Sequence, residues 1–151
     1  MTITINPIGY VKNSIKSAHG VDWSTIESEI IIYDDFASAL DGIEDFNYIE
    51  VIFWMHLSPP PPSSLKIHPR GRRELPLLGI FATRSPIRPN PIGVSVVKLI
   101  RRCGNKLIVL GLDALDGSPV LDIKPFIPIE SRFKKAIKEA RVPTWVRQIV
   151  S

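Results

Sequence analysis

Nine of the fourteen prolines in this 151-residue chain fall between Pro59 and Pro91. Proline fixes φ and offers no N–H, so neither a long helix nor an interior strand can run through that stretch. The run Pro59–Pro62 must be extended, with polyproline character. Structure therefore has to come from the residues on either side, and each flank is too short to be stable alone. The proline-rich stretch is read as a long functional loop on one domain, not as a linker between two. With 44% hydrophobic and 23% charged residues, the chain has the size and composition of one compact domain.

The flanks read mainly as strands. Ile3–Val11 alternates apolar residues but contains Pro7, which predicts an edge or bulged strand. Ser28–Tyr33 predicts a second strand, and Asp34–Leu40 a short helix that Gly42 interrupts. Phe46–Leu57, almost continuously apolar from Val51, predicts a core strand buried on both faces. Leu77–Thr83 predicts another strand. Gly93–Cys103 and Lys106–Asp113 flank Gly104-Asn105 as a hairpin, and Val120–Ile127 adds a further strand. From Ser131, Phe133, Ala136, Ile137 and Ala140 fall at helical spacing until Pro143. The fold class expected is mainly β (α+β): a single barrel-like domain of five to seven strands with short flanking helices. Residues 1–130 form the domain, and 131–151 are a helix and tail packed on it.

Charge is distributed unevenly. Residues 1–65 hold two basic and nine acidic groups, whereas residues 66–102 hold nine basic groups and one acidic. Concentrated positive charge attracts phosphates, which makes nucleic acid or a phosphorylated ligand a reasonable partner, with a solvated loop as the plainer alternative.

Several chemistries lack their sequence signs. A single cysteine, Cys103, and three histidines without paired ligand spacing argue against a metal site. No Gly-x-Gly, P-loop or Gly-x-Ser-x-Gly occurs. No run approaches the length of a bilayer span and no leader-like segment opens the chain, so a cytoplasmic protein with no membrane association is expected.

Two stretches stand out. In Gly79–Gly93, Arg84 and Arg88 lie four apart on a backbone stiffened by Pro86, Pro89 and Pro91, so both guanidinium groups and the Asn90 amide have little freedom to lose on binding. In Leu112–Phe126, Asp116-Gly117-Ser118-Pro119 is a turn signal whose backbone groups can grip a ligand. The plainer readings are a rigid surface turn and an ordinary bend.

With Ile8–Ser14, Phe53–His56 and His68–Gly71, these stretches resemble the TrmO-like (TsaA-like, formerly YaeB) family of S-adenosylmethionine-dependent tRNA methyltransferases. The resemblance covers roughly residues 3–130 and is densest in Ala82-Thr-Arg-Ser-Pro-Ile-Arg-Pro-Asn-Pro-Ile-Gly93. It implies a small β-barrel enzyme, a homodimer, that methylates the exocyclic nitrogen of threonylcarbamoyladenosine beside the anticodon. It also implies S-adenosylmethionine contacts at His56, Leu57, Arg84, Val94, Leu115, Asp116, Gly117 and Ser118. The sequence departs from the family at Lys16–Trp23, where members commonly carry a longer loop with a Pro-Arg-Gln-like element.

On this reading Lys66, Arg70, Arg72 and Arg73 contact tRNA phosphates, and Arg84 and Arg88 suit carboxylates of cofactor or substrate, with Asn90 beside them. His56 and Asp116 are the candidates for a base, and neither is assigned as catalytic. The alternatives are a methyltransferase with a different nucleic-acid or small-molecule acceptor, and a non-enzymatic RNA-binding barrel.

Overall fold

The computed structural model describes residues 1–150. It has eight strands: β1 (Gly9–Lys12), β2 (Glu27–Ile32), β3 (Tyr48–Trp54), β4 (Lys66–Ile67), β5 (Leu78–Gly79), β6 (Ile92–Cys103), β7 (Lys106–Leu110) and β8 (Pro119–Pro125). One α-helix, α1 (Ser131–Glu139), follows β8. Contacts divide the chain into two compact units: Met1–Ser58 with Pro91–Phe126, and Pro59–Asn90 with the chain from Ile127 onward.

The first unit is a closed antiparallel barrel in the order β1-β2-β7-β6-β3-β8, with β8 pairing back to β1. The fold is mainly β, as expected. Alternating side chains fill the narrow interior: Val11, Ile30, Ile32, Ile49, Val51, Phe53, Val97, Leu107, Val109 and Val120 are all buried. Phe53 dictates one glycine, because a Cβ on Gly93, its cross-strand partner, would sit 2.4 Å from the ring. The β6–β7 hairpin turns through Gly104-Asn105, as the sequence predicts.

Three local expectations are overturned. β1 begins at Gly9 and pairs on both sides, with β2 and β8, so it is not an edge strand. Barrel closure leaves no edge. β3 is not buried on both faces: Ile49, Val51 and Phe53 point inward, while Tyr48 is exposed and Glu50, Ile52 and Trp54 are half-buried. A barrel wall packs one face only, and aromatic and β-branched residues occupy its outside as readily as its inside. Leu77–Thr83 contributes only the two residues of β5 and then a 3₁₀ turn, Ile80–Ala82. Asp34–Leu40 is the short helix expected, in 3₁₀ form.

In the second unit β4 and β5 form a two-stranded pair, and Pro69, Leu75 and Ile80 are its buried residues. α1 buries none of its residues, and Ile137 on it is 75% exposed. Trp23 and Trp145 are each half-buried. Among the described residues no helix is long and apolar enough to cross a membrane.

Candidate functional site

At one end of the barrel, the turn preceding β8 is fastened to the segment that follows β1. The N–H groups of Asp116, Gly117 and Ser118 donate to the carbonyls of Ile15, Val11 and Leu115, at 2.9, 2.8 and 3.1 Å. Asn13 completes the clasp from its side. Its backbone N–H donates to Asp116 Oδ1 at 2.9 Å. Its side-chain amide donates to Ser28 Oγ at 2.9 Å and Ala114 O at 3.0 Å, and its Oδ1 accepts from Ile15 N–H at 2.9 Å. Sequence reasoning missed Asn13 in this role because its partners at 114 and 116 are a hundred residues away; its place in the Ile8–Ser14 motif was the available sign.

Asp116 is consumed by the same clasp. Lys16 pairs with Oδ2, and the Lys16 ammonium together with the Asn13 N–H holds the carboxyl below the usual carboxylate range. A carboxylate so stabilised is a weak base, which counts against Asp116 as the base candidate. His56 follows the end of β3, where its N–H bonds back to Trp54 O at 2.9 Å. Its Nδ1 lies 3.4 Å from the hydroxyl of Ser118, which is 1% exposed. A bulge between β3 and β8 at Ile52/Phe53 adjusts the register just before the strand end that leads to His56 and the strand start that follows Ser118.

Gly117 sits between these groups with φ +79°, and the nearest atom to an added Cβ is His56 Nε2 at 3.8 Å. This leaves a small open cradle bounded by an imidazole. Leu57, 60% exposed, follows His56, and Leu115, half-buried, precedes Asp116. Val94 lies on β6, 45% exposed. The neighbouring Asp113 accepts from Ser95 Oγ.

The proline-rich unit holds the remaining predicted residues. Hydroxyl groups brace the backbone that its prolines cannot: Thr83 Oγ1 donates to Ile80 O at 2.8 Å, Ser85 N–H to Thr83 Oγ1 at 3.3 Å, and Ile87 N–H to Ser85 Oγ at 3.1 Å. Arg88 joins that brace, its Nη1 donating to Thr83 O at 3.3 Å and Ser85 O at 3.1 Å. Arg84 and Asn90 are exposed on either side of it, and Lys66 is exposed on β4. Arg72 is also engaged, with Glu74 at 2.6 Å and Gln148 O at 3.2 Å. Arg70 and Arg73 make no ion pair or hydrogen bond through their side chains among the described residues. They line a cleft of about 390 Å³ with Ile67, His68, Gly71, Ser85, Pro86 and Ile87.

Residues 16–130 match the family described as the tRNA-methyltransferase O N-terminal domain. The chain belongs to the TrmO family. A probable S-adenosyl-L-methionine-binding protein of Methanothermobacter thermautotrophicus is 45% identical over 130 residues, 83% of this chain and 91% of that protein. An S-adenosyl-L-methionine-binding protein of Archaeoglobus fulgidus is 42% identical, covering 82% and 89%. Two crystal structures of TrmO from Pseudomonas aeruginosa are each 31% identical, with TM-scores of 0.72 and 0.68 over 96% and 95% of this chain. This chain spans 62% and 66% of those TrmO chains.

Proposed function

We propose that this chain is an S-adenosylmethionine-dependent methyltransferase acting on tRNA, with the donor held at the barrel end by His56, Leu57, Val94 and the turn Leu115–Ser118. The observation that carries the reading is the Gly117 cradle: a left-handed glycine fixed by three backbone hydrogen bonds, open beside His56 Nε2 at 3.8 Å from where a Cβ would stand. The donor set fits such a ligand. The turn's N–H groups are committed internally, and the Leu115 and Ser118 carbonyls accept from Ser118 and Val11 N–H, so the Asp116 and Gly117 carbonyls are the proposed acceptors for the amine and hydroxyl groups of a nucleoside, with the flanking leucines offering apolar surface to its base. Membership of the TrmO family and the names of the relatives support the same reading.

When bound, S-adenosylmethionine supplies an electrophilic methyl group on a positively charged sulfur. Transfer to nitrogen is an in-line displacement, in which alignment and exclusion of water provide most of the acceleration. The clasp around Asn13 and Asp116 provides that alignment by keeping the turn rigid. His56 is the proposed acid–base group, its Nδ1 3.4 Å from Ser118 Oγ and its Nε2 3.8 Å from where a Gly117 Cβ would stand.

The acceptor we propose is the exocyclic nitrogen of threonylcarbamoyladenosine beside the anticodon, in the cytoplasm. Arg84 and Arg88 on the proline-rich unit are proposed ligands for carboxylates, Arg88 through the guanidinium nitrogens that its brace to Thr83 and Ser85 leaves over. Asn90, Lys66 and the loop arginines are proposed to meet RNA. A homodimer is proposed on the outward face of β6, where Ile92, Val94, Val96 and Ile100 are 36–47% exposed. Incubation of the purified chain with methyl-labelled S-adenosylmethionine and total tRNA, followed by nucleoside digestion, tests the reading. Label is expected in threonylcarbamoyladenosine. Label in another nucleoside would replace the acceptor, and absence of transfer despite donor binding would overturn the tRNA assignment.

A further inference from the structure

The bend His68–Arg72 is built against local preference. Arg70 adopts φ +52°, ψ +23°, a left-handed conformation unfavourable for a residue with a Cβ, and Gly71 follows with φ +68°. Nothing in the arginine's own bonding accounts for that strain, since its side chain has no hydrogen bond or ion pair among the described residues. The bend is nonetheless firmly held. Gly71 N–H donates to His68 O at 2.9 Å, Arg72 N–H to Pro69 O at 3.0 Å, and Pro69 is buried. His68 Nδ1–H donates to Leu75 O at 2.8 Å, which leaves Nε2 as its other polar atom.

Two arginines without a side-chain partner among the described residues, Arg70 in the bend and Arg73 just after it, line the same cleft of about 390 Å³, while Arg72 between them is occupied by Glu74 and the Gln148 carbonyl. Ser85, Pro86, Ile87 and Ile67 also line it. Ser85 Oγ accepts from Ile87 N–H, so its own proton is available to an incoming acceptor. One cleft thus combines two fork-shaped cations, a hydroxyl and an imidazole with the apolar surfaces of a proline and two isoleucines. Phosphate oxygens suit the first set and a flat nucleobase the second.

We infer that this cleft is a subsite for one unstacked nucleotide of single-stranded RNA, its phosphate on Arg70 and Arg73 and its base against Ile67, Pro86 and Ile87. The inference rests on the proposal that the acceptor is an RNA and goes further in naming where a nucleotide beyond the methylated one is held. A duplex does not satisfy the same cleft, because its bases are stacked and paired and leave the apolar wall unfilled.

The test is fluorescence anisotropy with the full chain, using a labelled single-stranded hexauridylate, the same oligonucleotide with abasic sites, a hairpin duplex of equal charge and intact tRNA. Single strand is expected to bind in preference to duplex, and loss of bases to weaken binding at least about fivefold. Arg70→Gly relieves the left-handed strain while removing the guanidinium. It is expected to keep or raise the melting temperature, to weaken single-strand binding several-fold, and to reduce the salt slope by about 0.7. Arg73→Ala is expected to act alike, and Lys135→Ala on α1 to change little. If the parent binds tRNA but Arg70→Gly and Arg73→Ala retain parental affinity and slope, the cleft is excluded and the tRNA reading stands. If the parent binds no RNA, the tRNA reading falls and the cleft with it. Equal affinity for abasic and intact strands overturns the base-binding half of the inference.

Discussion

The barrel and the proline-rich unit solve the problem of holding side chains still by opposite means. In the barrel, six strands pair all round, and the polar groups at its end are joined across long sequence separations, as Asn13 is to Ala114 and Asp116. In the proline-rich unit the only ladder among the described residues is two residues a side, and rigidity comes from proline, from hydroxyl-to-backbone bonds a few residues apart and from left-handed backbone at Leu65 and Arg70. The first arrangement is suited to a preformed pocket with committed polar atoms. The second leaves Arg70 and Arg73 uncommitted at fixed positions, as a surface that meets a charged polymer requires.

Breaking the barrel is expected to have the largest effect. Phe53→Ala removes a ring that is 2% exposed and packed over Gly93, and should lower unfolding free energy by about 3–5 kcal/mol in denaturant titrations. A loss below about 1 kcal/mol would mean that the ring is not what closes the interior. Asn13→Ala comes next. It removes three side-chain hydrogen bonds and leaves Ser28, 2% exposed, without its partner, at a cost of about 2 kcal/mol. Because it loosens the turn, it should also weaken S-adenosylmethionine binding while leaving RNA binding unchanged; equal losses of both would erase the contrast between the regions.

The smallest effect concerns pH. Asp116 titrates below its unfolded value in the folded state, held down by Lys16 and by the Asn13 N–H. Its contribution to stability is therefore complete above about pH 4 and is lost as pH falls through the lowered folded value. Lys16→Ala should raise that value toward the ordinary range and reduce the drop in melting temperature between pH 6 and pH 3. An unchanged drop would show that the pair, exposed as the Lys16 side chain is, contributes nothing measurable.

What could be read from the sequence follows the same division. The hairpin at Gly104-Asn105 and the turn at Asp116–Pro119 were legible because the residues that cause them are adjacent. The clasp was not, since Asn13, Asp116 and Ser28 meet only once the barrel closes, and neither was the bond between His56 and Ser118. In the loop, composition identified the arginines as a group. It could not separate Arg72 from Arg73, because the difference lies in Glu74 and in Gln148, 76 residues on. Leu77–Thr83 misled for a related reason: its apolar residues serve a small buried cluster around Leu75 and Ile80 and have almost no partner strand.

The central claim is that the barrel-end turn, through Gly117, is where a methyl donor is held. Isothermal titration of S-adenosylmethionine into the parent chain and into Gly117→Val, with near-ultraviolet circular dichroism confirming the fold of each, addresses it directly. Saturable binding by the parent and at least about tenfold weaker binding by the variant are predicted, because a branched side chain fills the cradle at a φ that β-branched residues rarely adopt. Parent and variant binding with equal affinity, or a parent that binds no donor at all, would contradict it.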